Sequence, residues 1–168
     1  MTLTESGTLL AAALPRRSTL WKVQMSKVQV IAALPANPQA VWDVVGDFGA
    51  IAKWHPAVAE SLAEGAGPGA LRRLTLVNGD RLVERLEEFN DGERYCSYSL
   101  VEGPLPVSDY YATLHVRAAY DAPSATVEWI GAFTAKDVPE TEAEQLIRSI
   151  YQAGLDNLRQ LVGSNPRP

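Results

Sequence analysis

The sequence predicts an α+β domain in which a curved antiparallel sheet wraps around one long C-terminal helix. Three observations carry this reading. Short alternating apolar segments are joined by hairpin turns, above all Asn78-Gly79 and Asn90-Asp91-Gly92. A long, one-sided helical pattern closes the chain. Short helical segments interrupt the strands in one place only, after the first strand.

In order, Lys27 to Leu34 alternates, with Val28, Val30, Ala32 and Leu34 on one face of strand 1. Pro35-Ala36-Asn37-Pro38 breaks it. Asn37 suits an N-cap, and Pro38 sits at the first helical position, where its missing N–H is harmless. The helix that follows carries Val41, Trp42, Val44 and Val45 and stops near Gly46; a second short helix covers Phe48 to Lys53 and is ended by Pro56. The strands then run over Ala57–Ala63, Leu71–Val77, Arg81–Phe89, Arg94–Glu102, Asp109–Tyr120 and Ala125–Ala135, with a turn at Asp121-Ala122-Pro123-Ser124. From Pro139 to Val162 the apolar residues Leu146, Ile147, Ile150, Tyr151, Gly154, Leu158, Leu161 and Val162 fall at helical spacing. About 24 residues at ~1.5 Å each give a helix near 36 Å long. A helix lying across a sheet that curves away leaves room for an internal cavity.

With 168 residues, 46% of them hydrophobic and 21% charged, the chain fits one soluble domain: an N-terminal extension over 1–25, the domain over 26–163 and a tail over 164–168. No stretch approaches the roughly 20 apolar residues of a spanning helix, so stable membrane insertion is not expected. The net charge of −5 argues against nucleic acid as a partner. One cysteine, Cys96, excludes an internal disulfide, and two histidines, His55 and His115, exclude a His-rich metal site; no cofactor is expected. In the extension, the apolar run Leu9–Leu14 precedes its basic residues Arg16 and Arg17, the reverse of a secretory signal, and Met25 offers a second start. The expected compartment is the cytoplasm. Oligomeric state stays open, a homodimer included.

Period-2 reading assigns the faces. Tyr110, Ala112, Leu114 and Val116 share one, with His115 on the other; Val127, Trp129, Gly131 and Phe133 share another, where Gly131 between two aromatic rings leaves a hollow. Cys96, Tyr98, Leu100 and Glu102 form a third set, and Leu82, Glu84 and Leu86 a fourth. Arg72 lies with Leu74 and Leu76, so two charged residues, Arg72 and Glu84, fall among apolar neighbours on strands joined by one hairpin. Either they pair, as buried charges must, or a slipped register leaves both in water.

The segments Asp47 to Pro56, Gly69-Ala70-Leu71-Arg72, Glu84-Arg85-Leu86, Tyr98-Ser99-Leu100 and Asp109-Tyr110 resemble the START-like helix-grip superfamily. More narrowly, the chain resembles bacterial polyketide cyclase/dehydrase-type proteins and their relatives, the plant abscisic-acid receptors and birch-pollen-allergen-like proteins, over about Val28 to Val162. The resemblance implies seven antiparallel strands around the long helix and an apolar cavity. It implies a wall built from Arg72, Leu74, Leu76, Glu84, Tyr98, Leu100, Tyr110, Trp129, Phe133, Leu146, Ile150 and Gly154, with Leu105, Pro106 and Val107 at the loop that closes over a ligand. There are departures from the receptor pattern. Ala59 stands for the receptors' lysine, the gate loop is reduced to Asn78-Gly79, the latch reads Leu105-Pro106-Val107, and Trp129 replaces a glutamate. A phosphatase-docking hormone receptor is therefore not expected.

Two main functions use this cavity. In the first, the protein binds a small, mostly apolar molecule, aromatic or polyketide-like. In the second it is a cyclase or dehydratase: Glu84 moves protons, Arg72 or a tyrosine hydroxyl of Tyr98 or Tyr110 holds an enolate oxygen, and His55 at the pocket mouth is a further acid or base. A lipid or quinone carrier is a third reading. Cys96 reads as a buried, inert thiol.

Overall fold

The computed structural model describes residues 24–120 and 123–164. The extension up to residue 23, the Asp121-Ala122 half of one turn and the tail from 165 lie outside the described residues. The strands are β1 (Ser26–Leu34), β2 (Val58–Glu64), β3 (Leu71–Leu76), β4 (Arg81–Asn90), β5 (Tyr95–Glu102), β6 (Val107–Ala118) and β7 (Ala125–Ala135). The helices are α1 (Pro38–Val45) and α2 (Glu140–Gly163), with a 3₁₀ helix at Phe48–Lys53. All neighbouring strands pair antiparallel in the order β1-β7-β6-β5-β4-β3-β2, so the sheet is open, with β1 and β2 at its edges.

Local chemistry explains each junction. The Asn37 side chain accepts a hydrogen bond from Ala40 N at 2.7 Å and caps α1, with Pro38 in its first turn. The Asn78-Gly79 hairpin is one residue longer than a two-residue turn. The Gly79 N–H donates to the Leu76 carbonyl, and Leu76 N–H to the Asp80 carbonyl. Gly79 sits at φ 91°, which closes a three-residue loop with glycine in the left-handed position. Trp42 Nε1 donates to Asp91 Oδ1 at 2.7 Å and fastens α1 to the β4–β5 turn.

Inward residues of β1 and β7 alternate without a slip: Val28, Val30, Ala32 and Leu34 face the core, as do Val127, Trp129, Gly131 and Phe133. β6 does slip. A bulge between Ser108 and Tyr111 holds Asp109 at φ 52°, and it turns both Val107 and Tyr110 inward although they are three residues apart. Helix α2 buries Ala143, Ile147, Tyr151, Gly154, Leu155 and Leu158. Leu146 does not belong to this stripe. It lies one residue, about 100°, off the Ala143–Ile147–Tyr151 line and is 37% exposed, so Ile147 takes the inward place expected of Leu146. Arg148 and Arg159 on α2 donate to the Gln29 and Ala33 carbonyls of β1 at 3.1 Å each. No helix among the described residues is long and apolar enough to cross a membrane.

Candidate functional site: an aromatic-walled cavity under the long helix

Between the concave face of the sheet and α2 lies a cavity of about 70 Å³. Aliphatic side chains of β3, β4 and α2, among them Leu74, Leu82 and Ile147, form much of its wall. Half-buried Ala57, Leu76, Leu105 and Ile150 form its rim. The polar groups on the wall are Glu84, His55, Tyr98, Tyr110, Trp129 and Tyr151. A larger groove of about 460 Å³ runs between α1 and the C-terminal end of α2, but it lies on the surface beside Asp43, Asp47 and Lys53 and touches none of these groups.

Cross-strand register produces the charged pair. Arg72 and Glu84 are direct partners across β3 and β4. Arg72 Nε donates to Glu84 Oε2 at 2.6 Å, with the two side chains 6% and 9% exposed. The pairing alternative holds and the slipped register does not. Arg72 also donates through Nη1 to the Phe48 carbonyl at 3.0 Å, and its guanidinium lies 4.2 Å from the Phe48 ring centroid and 4.7 Å from that of Tyr98. All of this draws it behind the wall. Glu84 lines the cavity and Arg72 does not, which corrects the expectation that the guanidinium meets a ligand oxygen.

The aromatic groups form a linked cluster. Trp129 Nε1 donates to the Tyr98 hydroxyl at 2.9 Å, and the Tyr110 and Tyr151 hydroxyls share a hydrogen bond of 2.5 Å. The Tyr151 ring stacks on Trp129 at 4.4 Å between centroids and 9° between planes. Its hydroxyl reaches over Gly131, where any Cβ would overlap it, so the hollow expected at Gly131 is filled from the helix. Burial pushes the Tyr98, Tyr110 and Tyr151 hydroxyls well above the ordinary tyrosine range.

His55 reaches the wall but both ring nitrogens are engaged. Nε2 donates to the Ile150 carbonyl at 2.9 Å and Nδ1 accepts from Ala57 N at 3.2 Å. Those partners require the neutral Nε2–H tautomer. Burial, opposed by the Ile150 bond and helped by the Arg72 charge, holds the pKa below 6.5. The imidazole ties α2 to the segment before β2, and Gly154 leaves it space: a Cβ there would come within 2.7 Å of its Cδ2. As a base His55 would give up the Ala57 bond, and as an acid the Ile150 bond.

Of the other expected wall residues, Leu74, Leu76, Tyr98, Leu105, Tyr110, Trp129 and Ile150 do line the cavity. Leu100, Val107 and Phe133 pack in or against the core and do not line it. Ala59 is exposed beside the β2 bulge, and Ala57 and Val58 line the cavity at that end instead. Tyr151 is the functional candidate that pattern reading missed, because it sat among the apolar residues of α2. The paired small residues Gly131 and Gly154 were the available sign of a large ring packed between helix and sheet. Cys96 is buried, and among the described residues no group of three or more His, Cys, Asp or Glu side chains could hold a metal ion.

A seven-stranded antiparallel sheet curved round a long C-terminal helix, with an aromatic-walled cavity between them, defines a helix-grip protein of the kind that takes hydrophobic molecules. Residues 25–163 match the family model described as polyketide cyclase / dehydrase and lipid transport, and the chain belongs to that family. Among solved structures it is similar to the protein XoxI of Bacillus cereus, at 34% identity and a TM-score of 0.78 over 82% of this chain and 95% of that one. A protein of Bacillus thuringiensis is similar at 32% identity and a TM-score of 0.78, over 82% and 98% of the two chains. Ara h 8.0201, at 18% identity and a TM-score of 0.71 over 84% of this chain and 100% of that one, shares the fold. No curated protein matches the chain.

Proposed function

We propose that the protein binds a small, mostly apolar molecule in the cavity between the sheet and α2. The observation that carries this is an apolar wall interrupted by a few convergent polar groups, the usual make-up of a small-molecule site. Volume limits the ligand. A water needs roughly 10–15 Å³ of such space, so 70 Å³ holds about five waters or a ring of similar size. A polyketide or an acyl chain needs several hundred Å³. It would enter only by parting the Leu105 loop from Ile150, or by unstacking Tyr151 from Trp129.

Two measurements test the proposal. Native mass spectrometry of protein purified from its source should show a co-purifying molecule. Toluene titrated into the protein should shift the NMR signals of Ile147, Trp129 and Tyr151. Toluene at saturation leaving those signals in place, with nothing co-purifying, would overturn the proposal.

Glu84 at the wall favours a second reading, a cyclase or dehydratase that moves a proton through this carboxylate while Tyr98 or Tyr110 holds the enolate oxygen. In a turnover assay run under conditions where circular dichroism shows both variants folded, Glu84→Gln and Tyr110→Phe should abolish catalysis and spare binding. Unchanged turnover on a true substrate would remove both residues from the chemistry.

A further inference from the structure

One imidazole ties the rim of the cavity together. Ala57 and Ile150 stand on opposite sides of that rim, and His55 bonds the backbone of both. Its Nε2–H donates to the Ile150 carbonyl on α2, and its Nδ1 accepts from Ala57 N. The Ala57 carbonyl in turn accepts from Val77 N at 3.0 Å, which carries the tie on to the β3–β4 hairpin beside the rim residue Leu76. The His55 carbonyl accepts from Val58 N at 3.1 Å, so the start of β2 hangs on the same turn. Gly154 gives the ring its place against the helix backbone.

This clamp works in one protonation state. Neutral imidazole presents one donor and one acceptor, as Ile150 and Ala57 require. Imidazolium presents two donors. It keeps the Ile150 bond, but its Nδ1–H then confronts the Ala57 N–H, and a cation is left in an apolar wall. The surroundings do not compensate it. Arg72 of β3 opposes the proton, and Glu84 of β4 is bound to Arg72. Trp54 and Trp129, whose rings lie within 6 Å of the imidazole, carry no charge, and the Tyr98, Tyr110 and Tyr151 phenols stay protonated. Lys53 is exposed, as is Asp156 of α2, which bonds Gln152 and Arg159. Among the described residues no carboxylate bonds the ring.

We propose that His55 is a proton-released clamp on the cavity mouth: a proton on Nδ1 frees the Ala57 turn and the hairpin behind it, and the mouth opens between them and Ile150. This rests on the cavity being the binding site. In the open form the ring is solvated and takes a proton near pH 6.5. If only the open form takes it, the open population rises about 25-fold from pH 7 to pH 5.

Two NMR measurements on the full chain test this. Amide exchange, corrected for its intrinsic pH dependence, should show Val58 and Val77 losing protection about five- to 25-fold between pH 7 and 5. Val30 and Val127 in the paired strands should lose less. Bound toluene should dissociate faster over the same interval by a similar factor. His55→Gln, which donates and accepts like the neutral ring but takes no proton, should abolish both changes. Should that variant not fold, the wild-type loss must instead follow the titration of the His55 ring nitrogens. Protection that stays constant, falls only in step with Val30 and Val127, or falls equally in folded His55→Gln overturns the clamp and leaves the cavity reading intact. So does a toluene release rate that ignores pH. Toluene that binds at neither pH overturns the cavity reading itself, whatever the amides do.

Discussion

Removing one member of the Arg72–Glu84 pair should destabilise the fold far more than removing both. The pair is 2.6 Å long and nearly buried, and Arg72 is further held by the Phe48 carbonyl and two aromatic faces. Glu84→Gln leaves a buried guanidinium without its counter-charge, a change that typically costs about 3–5 kcal/mol. Arg72→Met leaves the carboxylate stranded and should fall in the same range, with about 1 kcal/mol more from the lost ring contacts. Apolar replacement of both, Arg72→Met with Glu84→Leu, is expected within about 1–2 kcal/mol of the parent or above it, because two desolvation penalties vanish with the attraction. In urea, with a slope near 2 kcal/mol/M for a domain of this size, a loss of about 4 kcal/mol lowers the midpoint by about 2 M. Equilibrium denaturation followed by tryptophan fluorescence reads all three variants. Single variants that lose less than about 1 kcal/mol, or a double variant whose loss equals the sum of the singles, would refute a coupled, buried pair.

Further outcomes follow from the same geometry. Gly131→Ala should force the Tyr151 ring off Trp129 and lower stability by about 1–3 kcal/mol; unchanged stability and unchanged Trp129 emission would contradict it. His55 binds a proton less readily folded than unfolded, so its contribution is full above about pH 6.5 and is lost as pH falls below that value. The urea midpoint should drop between pH 7 and 5, and His55→Gln should flatten the drop. His115, held low by burial and Arg117, adds a same-sign slope that the variant keeps. A slope unaffected by the substitution would refute the His55 account. Burial pushes the Cys96 thiol up to about 11, so a disulfide reagent at pH 8 should label native protein at least 100-fold slower than unfolded protein; stoichiometric labelling within seconds would show the thiol to be accessible.

Much of this architecture was legible because its signals are local. Alternation gives the inward faces of β1 and β7 residue by residue, Asn37-Pro38 marks the start of α1, and a hairpin places Arg72 beside Glu84. What escaped depends on contacts distant in sequence. The direction taken by Arg72 is set by Phe48, 24 residues away, and by the ring of Tyr98. The bulge at Asp109 has no glycine to announce it, so the loop after β5 hid how Val107 and Tyr110 come to share a face. Apolar content alone does not fix the phase of α2. Leu146 and Ile147 are adjacent and equally greasy, and only the sheet beneath decides which goes in. Tyr151 looked like filler for the same reason, since a phenol's partner 41 residues upstream leaves no mark on the local pattern.

The two arginines of α2 that bind Gln29 and Ala33 have a consequence for self-association. They occupy outward carbonyls of β1 that a foreign strand would otherwise use as its template. Among the described residues no side chain plugs the backbone of β2 in this way, and Leu62 stands largely bare on that strand. Two template positions on the β1 flank are thus already occupied, while the β2 flank offers a foreign strand its carbonyls without a side chain to displace.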